Sequence, residues 1–204
     1  MLNRTVTHGL SLSAVMQGSG RAVIGNRVSE EKLRGDPIAL TASKASARLE
    51  LRFLHSLQLD ESHQFLMTNV STYKLQEVST GRPIVTYEYT RDPPNDYPEA
   101  HLHIHGNAEN LKLMLERCGR PKDKPDDLHF PVGGRRFRPC LEDLIEFCIV
   151  ERLVEPRPDW RKALNESRQR FRDRQLRAAV RRYPKIAAGV LKERGWQVIE
   201  PDDG

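Results

Sequence analysis

The stretch from Leu49 to Leu59 constrains the fold of this chain more than any other. Leu49, Leu51, Phe53, His55, Leu57 and Leu59 alternate with Glu50, Arg52, Leu54, Ser56 and Gln58. A sustained period of two is the mark of a β-strand with one face buried. Asp60-Glu61-Ser62 offers a turn, and Phe65 to Val78 is rich in β-branched and aromatic residues. Ser79 to Arg82 is a second turn, followed by Ile84 to Tyr89 as a third strand. Arg91 to Pro98 holds Pro93, Pro94 and Pro98 and reads as a loop before a fourth strand, Glu99 to His105. Short connections between consecutive strands favour an antiparallel meander.

The period changes after Gly106. Leu111, Leu113 and Leu115 predict a helix ending at Cys118-Gly119, and Leu141, Leu144, Ile145, Cys148 and Ile149 predict another, opened by Pro139. A long helix is expected from Asp159 to Tyr183, stopped by Pro184, and a shorter one from Lys185 to Arg194, capped by Gly195. Strands first and helices later give an α+β class, with about four strands and a basic C-terminal helical extension. Residues 1–36 carry the breakers Gly18, Gly20 and Gly25 and are expected to form an adaptable arm. Residues 37–155 form the expected core domain, and residues 156–204 the extension.

Charge separates these regions. From Asp159 to Gly195 there are twelve basic and four acidic residues, a balance of +8 within a total of +5, so the rest of the chain stands at −3. Such asymmetry implies a nucleic acid or an acidic protein partner at the C-terminal helix. At 100° per residue, Trp160, Leu164, Phe171 and Ala178 share one face of that helix. Arg170, Arg174, Arg177 and Arg181 form a ladder on another face, suited to a phosphate backbone, although Glu166 and Asp173 are spaced to pair with Arg170 and Arg177. No stretch approaches the roughly 20 apolar residues of a membrane span, so no membrane partner is expected. Three cysteines without a C-x-x-C pair argue against a disulfide framework or a cysteine zinc site. Near the N-terminus, His8, Gly9, Ser11 and Ser13 interrupt any leader-like apolar core, so a cytoplasmic location is expected.

His101-Leu102-His103-Ile104-His105 is the sharpest local feature. Residues two apart on a strand share a face, so the imidazoles point one way and Leu102 and Ile104 the other. Three readings stand: polar rungs on a half-exposed sheet, a catalytic or phosphate-binding site, or a metal site. Histidine suits acid–base work because its pKa of ~6.5 lies near neutrality. Same-face neighbours are roughly 6.8 Å apart, so adjacent histidines reach one metal while His101 and His105 do not. A metal would need a distant ligand, for which His129, Glu142 and Asp143 are the candidates. No cofactor motif is legible, so no cofactor and no metal is assigned.

The segment Leu128 to Pro139 contains Gly133-Gly134-Arg135-Arg136-Phe137-Arg138. Glycines allow close backbone approach, and arginines read phosphate by paired hydrogen bonds. Folded over the histidine strand, His129, Arg135, Arg136 and Arg138 would bind phosphate beside His103 and His105 as acid and base. A turn with solvated arginines, Arg138 pairing with Glu142 or Asp143, is the simpler alternative.

His101 to His105 resembles the alternating motif of the histidine-triad nucleotide-binding proteins, a resemblance that implies His103 as a nucleophile toward an α-phosphate. Tyr87-Glu88-Tyr89, then His103 and His105, then Pro139, Leu141, Glu142 and Asp143 occur in an order similar to TumE-like toxins of bacterial toxin–antitoxin pairs. That resemblance covers Ile84 to Glu151 and implies action on RNA or translation and a cognate antitoxin. The expected function is therefore an RNA- or nucleotide-engaging, toxin-like protein with phosphodiester cleavage or transfer at a histidine site. The alternatives are a non-enzymatic interaction protein using its basic helix and, third, a metal-dependent hydrolase.

Overall fold

The computed structural model describes residues 1–18, 20–41, 46–60, 63–106, 108–119, 122, 124–133 and 138–199. Eight strands form one antiparallel sheet: β1 (Leu12–Gln17), β2 (Arg21–Asn26), β3 (Ile38–Ala39), β4 (Leu49–Leu59), β5 (Leu66–Glu77), β6 (Pro83–Thr90), β7 (Ala100–Ile104) and β8 (Phe130–Pro131). Their order is β1-β2-β4-β5-β6-β7-β8, with β3 also pairing β4. The helices are α1 (Glu109–Arg117), α2 (Leu141–Val150), α3 (Trp160–Arg182) and α4 (Pro184–Glu193). The class is α+β. None of the described helices is long and apolar enough to cross a membrane.

The sheet has twice the expected number of strands. β3 and β8 are two residues long, too short to show any period, and Gly18 and Gly20 between β1 and β2, with Gly25 inside β2, read as breakers. Nor do residues 1–36 form an adaptable arm. They supply β1 and β2, and Leu2 and Val6 enter the core. Arg157 fastens this segment by donating its backbone N–H to Thr5 O (2.7 Å) and its guanidinium to Asn3 O (2.8 Å).

Register sorts the side chains of the long strands into two faces. The rows Leu51–Leu75–Val85–Ile104 and Phe53–Tyr73–Tyr87–Leu102 lie on one face. Leu51, Phe53, Tyr73 and Leu75 pack there with Leu144, Ile145, Cys148 and Ile149 of α2 and Leu164 of α3. The rows Leu54–Thr72–Glu88–His101 and Arg52–Lys74–Thr86–His103 lie on the other face.

Because Leu164 sits in this cluster, the segment read from its charge as an extension begins inside the core. Trp160, Leu164, Phe171 and Ala178 are all among the less exposed positions of α3. Arg168 fixes α3 to α2 through Asp143 (3.1 Å) and Glu146. Arg168→Ala leaves these partly exposed carboxylates without their cation. Urea unfolding should show a loss of about 2 kcal/mol, below the range for fully buried pairs because both carboxylates keep water.

His55 adds a pH dependence. Its Nε2 lies 2.9 Å from the Tyr73 hydroxyl, which burial keeps protonated and donating. Burial, with Arg138 nearby, lowers the His55 pKa from 6.5 to about 4. The imidazole is then neutral in the fold but takes a proton in the unfolded chain below its ordinary pKa. Its contribution is present above pH 6.5 and lost as pH falls from there toward 4. His55→Gln removes the titration and keeps an acceptor for Tyr73. Between pH 7 and pH 4 the wild type should lose roughly 2–3 kcal/mol more stability than this variant.

Candidate metal centre

The polar face of the sheet gathers histidines by pairing geometry. His101 and His103 project from β7 on the face opposite Leu102. Glu88 of β6 is the cross-strand partner of His101. On the other side, β8 pairs Phe130 with Leu102 and Pro131 with His101. Continued by one residue, this register sets His129 opposite His103, and their ring centroids are 4.6 Å apart. One candidate ligand atom from each of His101, His103 and His129 lies within 4.8 Å of the others. Glu88 Oε2 stands 3.6 Å from His101 Nε2 and 3.7 Å from His103 Nε2.

Main-chain acceptors orient these rings. His101 Nδ1 lies 2.8 Å from Pro98 O, and His103 Nδ1 lies 2.7 Å from Asp126 O. A carbonyl oxygen only accepts, so both Nδ1 atoms donate to the main chain, and both Nε2 atoms face Glu88. His129 likewise hydrogen-bonds the Asp127 backbone. Burial, and then the neighbouring His103 and His101, lower its pKa and favour the neutral imidazole that a metal requires. Carbonyl-held imidazoles of this kind are the usual outer support of metal ligands.

Local sequence builds the supporting pieces. Pro125–Asp127 is a single 3-10 turn with proline at its first position, tied back by the Lys124 N–H to Asp127 Oδ2 at 2.8 Å. That turn presents the Asp126 carbonyl to His103. Its carboxylate Oδ2 is 3.1 Å from His105 Nδ1, while His105 Nε2 meets Thr86 Oγ1 at 2.9 Å. Both nitrogens of His105 are therefore engaged. It braces the turn from one position beyond the cluster, with its ring 6.3 Å from that of His103. Tyr97, from the proline-rich loop, stacks on His129 with centroids 3.7 Å apart.

The donor set fits a transition metal. Three imidazoles, with a carboxylate beside them, suit zinc or a neighbouring divalent ion, whereas magnesium and calcium favour all-oxygen shells. Metal–nitrogen bonds of 2.0–2.1 Å place tetrahedral ligands about 3.3 Å apart, so loading draws the rings inward by about 1 Å. The His101 and His103 side chains are 8% and 15% exposed and Glu88 is 38% exposed, so the cluster opens to solvent on its carboxylate side.

Other expected site residues lie elsewhere. Glu142 accepts from Ser167, and Asp143 binds the Cys140 N–H (2.9 Å) and Arg168, both on the helical side of the sheet. Of the three distant ligands considered, His129 is the one that reaches the histidine strand. Arg138 stacks on Tyr89 at 4.1 Å, also on the helical side, rather than over His103. Arg135 and Arg136 fall outside the described residues. Arg170, Arg174 and Arg177 are exposed on α3 and line a shallow groove with Asp173, and Arg181 covers Phe65 at 3.9 Å. The sheet stands between this ladder and the histidines. Glu166 pairs with Arg4 (2.8 Å) and Asp173 accepts from Gln169 (2.8 Å). Glu88 is the residue that sequence reading passed over. The available signal was a lone carboxylate between two tyrosines, on the face that pairs with the histidines.

Compared with protein-family models, curated proteins and solved structures, the chain finds no match.

Cysteine does not enter this centre. Burial pushes the Cys140 and Cys148 thiols up to about 12, and Cys118 is exposed. Of the three thiols, only Cys118 should react rapidly with DTNB at about pH 8, and the other two only on unfolding.

Proposed function

We propose that the protein is a metal-dependent hydrolase whose ion is held by His101, His103 and His129, with Glu88 at the open side. One observation carries this reading: main-chain carbonyls hold the His101 and His103 rings with Nε2 facing Glu88, and one ligand atom of each ring lies within 4.8 Å of one of His129. When bound, such an ion supplies Lewis acidity and lowers the pKa of water. The chain's own residues do the rest. The carbonyls of Pro98 and Asp126 fix the tautomers. His105 holds Asp126 in place, and the half-exposed Glu88 carboxylate accepts the proton of an attacking water.

The substrate class in this reading is a phosphodiester of RNA or of a nucleotide. The partly exposed Glu88 edge is where such a substrate would enter. The arginine ladder stands on the other side of the sheet, so substrate binding at the histidines does not depend on it.

Calorimetric titration of metal-stripped protein with Zn²⁺ tests the reading. One equivalent should bind, and His103→Ala or His129→Ala should weaken it by more than about 100-fold, beyond the 10–100-fold typical of an outer-shell change. Glu88→Gln should keep the ion and lose most hydrolysis of an RNA oligonucleotide. Absence of a site in the native protein, or affinity indifferent to His129→Ala, overturns the metal centre. Bound metal with no hydrolysis of RNA or nucleotide phosphodiesters overturns the substrate assignment.

A further inference from the structure

The far half of α3 touches the β4–β5 turn through Arg181 and Phe65, yet carries apolar side chains that the described residues leave exposed. At 100° per residue, Leu176, Val180 and Tyr183 fall within an arc of about 60°, roughly opposite the buried stripe of Leu164 and Phe171. They are 65%, 45% and 51% exposed. Exposed apolar side chains recur in α4, where Ile186 (68%) and Val190 (51%) stand out while Ala187, Ala188 and Gly189 are half-covered. Gly195, at φ +82°, ends the helix. The Trp196 N–H returns to Leu191 O at 3.0 Å, which keeps this 67% exposed indole beside the helix end. Soluble chains rarely expose so many large apolar groups in one place without a partner.

Charge decides which partner fits. Residues 170–196 hold nine basic and two acidic side chains, a balance of +7. Two copies of this surface face to face would confront +7 with +7, a repulsion that opposes self-association. RNA would neutralise the arginines but leave the apolar stripe in water. An amphipathic helix with an apolar seam and acidic flanks satisfies both parts, since helix-in-groove recognition uses anchors at spacings of three and four.

We propose that the outer half of α3 together with α4 is a docking surface for an acidic amphipathic helix of another protein. Leu176, Val180, Ile186, Val190 and Trp196 supply the buried centre, and the arginines supply the rim. The proposal does not depend on the metal centre, which lies on the other side of the sheet.

The full-length chain can be tested by fluorescence anisotropy with a labelled synthetic helix of about 20 residues, leucine at helical spacing and glutamate elsewhere. Controls are a scrambled peptide of the same composition and an oligouridylate of similar length. The designed helix should bind at least about tenfold tighter than the scramble, a difference of roughly 1.4 kcal/mol. Val180→Glu combined with Val190→Glu should remove that advantage, while circular dichroism remains native because both positions are exposed. Arg174→Ala with Arg177→Ala should weaken binding and flatten its salt dependence. Equal binding of the scramble, indifference to the paired glutamates, or no binding of the designed helix overturns the proposal. So does a stable dimer in sedimentation that the glutamates break, because a second copy would then cover the surface. Oligouridylate binding tighter than that of the helix would assign the surface to nucleic acid.

Discussion

The antiparallel pairing of β6, β7 and β8 is the constraint on which the rest of the candidate centre depends. Strand side chains alternate, and the register decides which of them meet. With Glu88 opposite His101 and the chain entering β8 placed beside β7, four donor groups from three neighbouring segments share one small area. A slip of one residue in β7 would send Leu102 and Ile104 to the polar face and turn the histidines toward the core. The apolar rows on the opposite face resist such a slip, because Tyr87 and Leu102 and then Val85 and Ile104 pair as one set. Packing against α2 on one face therefore holds the chemistry on the other.

The two faces have separate tasks. The helical face is closed by Leu144, Ile145, Cys148 and Leu164, and Arg168 secures α3 to α2 where that helix crosses the body. Once past this anchor, α3 carries basic and apolar side chains outward. The same helix is thus a core element over its first half and a presented surface over its second, which explains why it is weakly amphipathic as a whole. Among the described residues, the turn at Asp126 covers the histidines on the polar face, and Glu88 stays partly in contact with water.

Much of this was legible in the amino-acid sequence. β4 to β7 follow from the alternation around Phe53 and from the turn residues near Asp60, Thr80 and Pro93. Pro139, Pro184 and Gly195 mark helix ends that agree with α2, α3 and α4 to within one or two residues. β3 and β8 carry no periodic signal, since two residues make no pattern, and the glycines around Ser19 hide the β1–β2 hairpin. At the site, the shared face of His101 and His103 follows from the strand period, and His129 was one of three distant groups weighed for a metal. The choice among the three rests on which strand each lies beside, a long-range fact. Glu88 was hidden for the same reason: its meaning comes from its cross-strand partner. Arg138 went the other way, because the edge of the sheet beyond Tyr89 offers it an aromatic ring on the helical face.

X-ray absorption at the metal edge of the zinc-loaded protein tests the central claim most directly. The spectrum should show three imidazoles at about 2.0–2.1 Å, an oxygen shell and no sulfur. Sulfur scattering, fewer than two imidazoles, or failure to retain one equivalent of metal after dialysis would contradict a centre built from His101, His103 and His129.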